Sequence, residues 1–202
     1  RGAMIKGGIL RLMPGLLLLD AASLYYRTFY GLKGRILAQD GKPVGAVRGF
    51  LDSLAVLVRT RRPAALAVCW DEDWRPEFRT ALLPSYKAHR LAPGEAGRRG
   101  EEDIPPELVA QVHVIARALG AFGIACVGAP GYEADDIIAT LATRAGEEGF
   151  EVLIASGDRD TFQLINDKTT VIYPGRSTAD LVYMTPEKVL ERYGLPPAQY
   201  PE

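Results

Sequence analysis

The sequence predicts an α/β domain, a doubly wound and mostly parallel sheet flanked by helices, and two observations carry that prediction. Short runs rich in Val, Ile and Leu alternate with longer segments of helical period along the 202 residues, the pattern of parallel strands buried on both faces and joined by crossover helices. Acidic residues recur where those apolar runs meet turns, as expected if the carboxyl ends of the strands share one ligand-binding rim.

The elements follow in chain order. The opening RGAMIKGGILRLM lacks an initiating Met and reads as an N-terminal extension, residues 1–13, added for expression and outside the fold. Residues 16–19, four leucines, are the first strand, and residues 21–30 and 44–58 the first two helices. A second strand is expected at 66–70, then a helix at 106–119 and a third strand at 124–127. A helix at 134–148 leads to a strand at 152–155, and the runs at 171–173 and 181–183 suit an edge hairpin. The last helix, 186–193, has Thr185 as N-cap, Pro186 at its first position and Gly194 just past its end.

Composition permits many functions and excludes few. The net charge of -1 gives no whole-molecule attraction to nucleic acid, although an acidic pocket can cancel a basic groove elsewhere. Cys69 and Cys126 lie in apolar runs and are expected to be small buried hydrophobes in a reducing compartment, and no zinc-ligand spacing is present. No stretch reaches the roughly 18 uninterrupted apolar residues of a membrane span, and no exported leader is evident, so a cytoplasmic protein is expected.

Seven acids stand out: Asp20 after LLLL, Asp71 after LAVCW, Glu133, Asp135 and Asp136 in GYEADDIIATLA, and Asp158 and Asp160 in LIASGDRDTFQL. Each has an ordinary explanation. Acids in a first helical turn are favoured by the helix dipole by about 0.3–1 kcal/mol, Asp and Gly are common in turns, and Asp71 opens a DED run that suits a solvated loop. Asp20 resists such an explanation, because it places a charge at the end of a buried strand. Coincidence of all four groups at one rim is better explained by hard divalent cations, which take oxygen ligands and relieve carboxylate repulsion. Between the second and third strands, Arg75, Arg79, Lys87 and Arg90 interleave with Trp74, Phe78 and Tyr86. That mixture suits phosphates and unstacked bases, and equally a solvated helical face over a few buried aromatics. Residues 91–103, LAPGEAGRRGEED, read as a mobile excursion between helices.

Taken together, LLLLDAASLYYRTFYGL, FRTALLPSYKAHR, GYEADDIIATLA and SGDRDTFQLI resemble the successive motifs of the 5'-nuclease superfamily, in particular bacterial flap endonucleases and the 5'-exonuclease domain of bacterial DNA polymerase I. The resemblance runs from about residue 14 to the end of the chain. It implies a PIN-like core with a helical arch at about residues 74–105, and a metal-dependent, structure-specific 5' nuclease acting on DNA at 5' flaps and frayed or gapped ends in replication and repair. It further implies two divalent ions, Mg²⁺ or Mn²⁺, the first held by Asp20, Asp71, Glu133 and Asp135 with Asp136 nearby, the second by Asp158 and Asp160. Lys87 and Arg90 match basic residues at the foot of the arch, with Lys87 at the scissile phosphate. Arg79, Arg27 and Tyr26 match residues that position phosphate or an unpaired base, and Arg75 belongs to the same nucleic-acid-binding strip. A monomer in the bacterial cytoplasm, associated with the nucleoid, is expected.

The tail GLPPAQYPE resembles the approach to a helix-three-turn-helix element that grips duplex DNA and adds an aspartate to the second metal site. If Glu202 ends the whole molecule, an incomplete second site and low or absent activity are expected; a fragment of a longer protein is the simplest explanation. Two other readings stay open: a single-domain PIN-type ribonuclease, which has no need of the basic-aromatic insert, and a nucleic-acid-binding fragment without activity, which has no use for seven convergent acids.

Overall fold

A computed structural model describes residues 15–32, 36–174 and 181–200. Its centre is a six-stranded sheet of order β3-β2-β1-β4-β5-β6. The strands are β1 (Gly15–Asp20), β2 (Ala65–Cys69), β3 (Ala125–Val127), β4 (Glu151–Ala155), β5 (Thr169–Pro174) and β6 (Leu181–Met184). All neighbours are parallel except the β5–β6 pair, which is the expected edge hairpin; its connection, residues 175–180, lies outside the described residues, as does the extension 1–13.

The four leucines of β1 explain why it is central, since Leu17, Leu18 and Leu19 are fully buried and alternate between the two faces. On one face Leu17 and Leu19 meet α1 (Ala21–Leu32), α2 (Gly45–Arg61) and α5 (Pro106–Ala121) through Leu24, Phe50, Leu54 and Ile115. On the other Leu18 meets α6 (Ala134–Glu147) through Ile138 and Ala142. The two helices α1 and α2 pack so closely that a Cβ at Gly49 would lie 2.8 Å from the Thr28 side chain. The closing helix α7 (Pro186–Tyr193) has its predicted cap, Thr185 accepting from the Lys188 N–H, and ends on Gly194 in the left-handed region.

Two expectations are corrected. Cys69 is buried, but Cys126 is exposed, because β3 is a short edge strand of the sheet. The segment 91–103 is organised rather than a bare excursion: α4 (Gly94–Arg98) is closed off by a Leu91–Glu102 bridge and by the Ala92 and Asp103 N–H groups donating to the Glu101 and Arg90 carbonyls. The insert that precedes it contains only α3 (Glu77–Leu82) and a single 3-10 turn at Ala88–Arg90, so it is a chain of short helical pieces. No helix among the described residues is long and apolar enough to cross a membrane.

Candidate active site

Beyond the carboxyl ends of the strands lies an open cleft of about 640 Å³. Asp20, Asp71, Glu133, Asp135, Asp158 and Asp160 all line it, so the topology brings six of the seven predicted acids to one place. Each arrives for a local reason. Asp20 ends β1 and is 4 % exposed; its oxygens accept from the Ser23 N–H at 3.0 Å and from the Ser156 hydroxyl at 2.7 Å. Asp71 follows β2 and accepts from the Ala134 N–H at the start of α6 at 2.7 Å. Glu133 is the residue before α6 and is 1 % exposed, while Asp135 is in the first turn. Asp158 caps the 3-10 turn Arg159–Leu164, accepting from the Asp160 N–H at 3.0 Å.

Burial and crowding raise the carboxyls of Asp20, Asp135 and Asp160. Desolvation pushes Asp135 up to about 7, with Asp20, Asp158 and Asp71 adding repulsion and Lys87 opposing it. Asp20 is pushed up to about 6, first by burial and then by Asp71 and Asp158, against the hydrogen bonds from Ser156 and Ser23. Asp160 is also raised, by burial and by Asp158.

The opposite wall is cationic and aromatic, lined by Tyr86, Lys87, His89, Arg90, Tyr26 and Tyr30. The Lys87 ammonium pairs with Glu133 and donates to the Trp74 carbonyl at 3.2 Å. Lys87 has φ of 49°, a left-handed conformation unusual outside glycine. The Tyr86 hydroxyl donates to the other Glu133 oxygen at 2.9 Å, and the Arg79 guanidinium lies 3.3 Å from it. Tyr26 and Tyr30, one helical turn apart on α1, stack 6.4 Å apart at 8°.

Other predicted residues lie elsewhere. Asp136 is not on the cleft lining; it turns back to accept from the Glu133 N–H at 3.0 Å and holds Arg79 at 2.5 Å, so both act behind Glu133. Arg75 donates to the Tyr86 and Pro84 carbonyls, each at 2.6 Å, and shapes the turn that presents Lys87. Arg27 borders a small crevice with Leu24, Ser53 and Leu181, away from the acids. Sequence reasoning gave no role to Ser156, Ser23, Tyr30 or Glu102. Ser156 had the clearest signal, a hydroxyl at the end of β4 inside the SGDRD motif.

Comparison with known proteins identifies the family of the chain. Residues 15–194 match the family model described as 5'-3' exonuclease, N-terminal resolvase-like domain. The chain is 52% identical over 185 residues to a 5'-3' exonuclease of Mycobacterium tuberculosis, covering 90% of this chain and 58% of the relative. It is 45% identical to a 5'-3' exonuclease of Streptomyces coelicolor, covering 91% and 61%. DNA polymerase I of Mycobacterium tuberculosis is 42% identical over 193 residues, 95% of this chain but 20% of the polymerase. The chain thus spans about three fifths of the two exonucleases. Among solved structures, T5 5'-exonuclease with bound zinc ions superposes with a TM-score of 0.62 at 16% identity, over 90% of this chain and 61% of that one. That likeness shows a shared fold, the mostly parallel sheet with helices on both faces. On the match across residues 15–194, the chain belongs to the 5'-3' exonuclease N-terminal resolvase-like domain family.

Proposed function

We propose that this chain carries the catalytic centre of a divalent-metal-dependent 5' nuclease that hydrolyses phosphodiesters in DNA at 5' flaps and at frayed or gapped ends. The observation that carries the reading is the convergence of six carboxylates from four strand ends opposite a cationic, aromatic wall in one cleft. The curated relatives named 5'-3' exonuclease and the T5 flap endonuclease solved with DNA and metal ions support it.

The donor set fits Mg²⁺ or Mn²⁺. It is made of oxygen alone, and Asp20 and Asp135 are raised by burial beside other acids, an electrostatic load that cations relieve. As they stand, no three acids among the described residues are near enough to enclose an ion, and Glu133 is turned toward Lys87, Tyr86 and Arg79 instead. Asp20, Asp71, Glu133 and Asp135 are assigned to one ion, Asp158 and Asp160 to a second. Held by these carboxylates, the ions would lower the pKa of water and supply positive charge at the phosphate and the leaving 3' oxygen.

The remaining work falls to the chain. Lys87, whose ammonium lies in the cleft beside Glu133, stabilises the charge that builds on the phosphate oxygens in the transition state. Arg90 and Tyr26 hold the incoming strand. Arg79 acts through Glu133 and Asp136, steadying the start of α6 that carries Asp135. Water adds to phosphorus, the bond to the 3' oxygen breaks, and the products are a 5'-phosphate and a 3'-hydroxyl. Such an enzyme works as a monomer on DNA in the cytoplasm, recognising junction shape more than sequence.

Cleavage of a 5'-labelled flap duplex by this chain in Mn²⁺, in Mg²⁺ and in chelator tests the reading. Metal-dependent product that is lost in Asp158→Asn is the expected result. Equal cleavage by wild type and Asp158→Asn rejects the site, and preference for single-stranded RNA over flap DNA rejects the substrate in favour of a ribonuclease.

A further inference from the structure

Glu102 stands at the mouth of the cleft and faces the cationic wall instead of the strand ends. It is held there by backbone, because residues 90–92 and 101–103 form a small antiparallel ladder: Leu91 bridges to Glu102, and the Asp103 N–H donates to the Arg90 carbonyl at 2.8 Å. The Glu102 carboxylate, 11% exposed, lies 3.9 Å from the Arg90 guanidinium and is hydrogen-bonded to the Tyr26 hydroxyl. All three residues line the cleft. A single anion therefore engages a guanidinium and a phenol hydroxyl on two different elements, in a partly buried position. Desolvation makes a charge costly there.

We infer that the Glu102 carboxylate occupies the seat of a substrate phosphate: it is an internal anion on Arg90 and Tyr26 that a DNA strand must displace to enter. The inference rests on the nucleic-acid reading above. Its consequence is selectivity. A strand that places one phosphate here gains little by ousting Glu102, since it exchanges one anion for another. A strand that also places its next phosphate deeper, at Lys87, recovers the cost, so the device discriminates against shallow, non-productive binding. Arg90, internally neutralised, contributes little to the salt dependence of binding until Glu102 is removed.

Binding of a fluorescein-labelled 5'-flap duplex, followed by anisotropy in chelator over a series of salt concentrations, tests this without turnover. Glu102→Gln keeps the shape and a hydrogen bond to Tyr26 but drops the charge. It is expected to bind about 3- to 10-fold more tightly than wild type at low salt, with a salt slope steeper by roughly 0.7, because Arg90 is then free to neutralise one phosphate of the strand. In an Arg90→Gln background the same change is expected to have less than about a twofold effect, the coupling a double-mutant cycle reads. Glu102→Asp, which keeps the charge, retains the wild-type slope. Unchanged or weaker binding by Glu102→Gln overturns the inference, as does an equal tightening with and without Arg90, which would report only a general loss of negative charge. A wild-type chain that does not bind the flap duplex at any salt instead overturns the nucleic-acid reading itself, and the inference with it.

Discussion

At the scale of single residues the chemistry is set by where one charge sits relative to its neighbours. Asp135 holds its proton more tightly in the folded chain, at about 7 against an ordinary 3.8. A raised carboxyl stabilises the fold in full below about pH 4 and loses that contribution as pH climbs through 7. Metal-free protein should therefore lose stability between pH 4 and 8, and Asp135→Asn should remove its share of the loss. We expect the variant to be more stable than wild type at pH 8 in chelator, by on the order of 2 kcal/mol, and nearly equal to it at pH 4; thermal melts at both pH values check this, and a variant less stable at pH 8 refutes it. Placement of residues at the cleft was legible in the sequence to the extent that neighbours could be ignored. The acids at strand ends could be read because topology sends strand ends to one rim. The neighbouring pairs could not be separated, because successive helical residues point about 100° apart: Tyr26 reaches the cleft and Arg27 a different crevice, while Asp135 lines the cleft and Asp136 turns back to its own helix. Arg75 had no sequence signal for its structural task, since its partners are main-chain carbonyls of a turn.

At the scale of elements, the short 3-10 turn Arg159–Leu164 carries Asp160 and is capped by Asp158, yet six residues of 3-10 helix have little stability of their own. Its anchor is Phe162, 1% exposed, whose ring meets Tyr173, Tyr193 and Tyr200 at 5.7, 6.0 and 5.2 Å. These partners come from β5, α7 and the residue that follows the turn Pro197–Gln199, so the C-terminal part of the chain holds the loop of Asp158 and Asp160 in place. Phe162→Ala should cost about 3–5 kcal/mol of stability and weaken divalent-ion binding even at temperatures where the variant remains folded; Mn²⁺ titration followed by electron paramagnetic resonance checks the second effect. Unaltered Mn²⁺ affinity in the folded variant would show that the loop is held by other contacts. Strands and long helices were readable because periodicity and burial agree along them, down to the Thr185 cap and the Gly194 end of α7. The insert was read less well. Its helices are short, α3 buries no residue, and its shape depends on side-chain bonds to distant segments, such as Tyr86 and Lys87 to Glu133.

At the scale of the whole molecule, the cleft concentrates negative charge that the fold tolerates at a cost, so a divalent cation should act as a stabiliser of the native chain. In Mn²⁺ at about 100 times its dissociation constant, each site adds roughly 2.7 kcal/mol, on the order of 5 °C or more in the melting midpoint of a domain this size. The gain should be larger at pH 8 than at pH 5, where Asp20 and Asp135 are protonated and compete with the ion; a midpoint that does not respond to Mn²⁺ at either pH would disprove metal binding. One hydrogen bond also sets the timing of assembly. Asp20 and the Ser156 hydroxyl that holds it are 136 positions apart in sequence, and β4, which ends next to Ser156, pairs directly with β1. A chain emerging from the ribosome can thus pair β1 with β2 and pack α1 on α2 early, but it has no assembled acid cluster until the fourth strand docks beside the first. The acid cluster is thus completed late in folding, when the far end of the chain returns to the first strand.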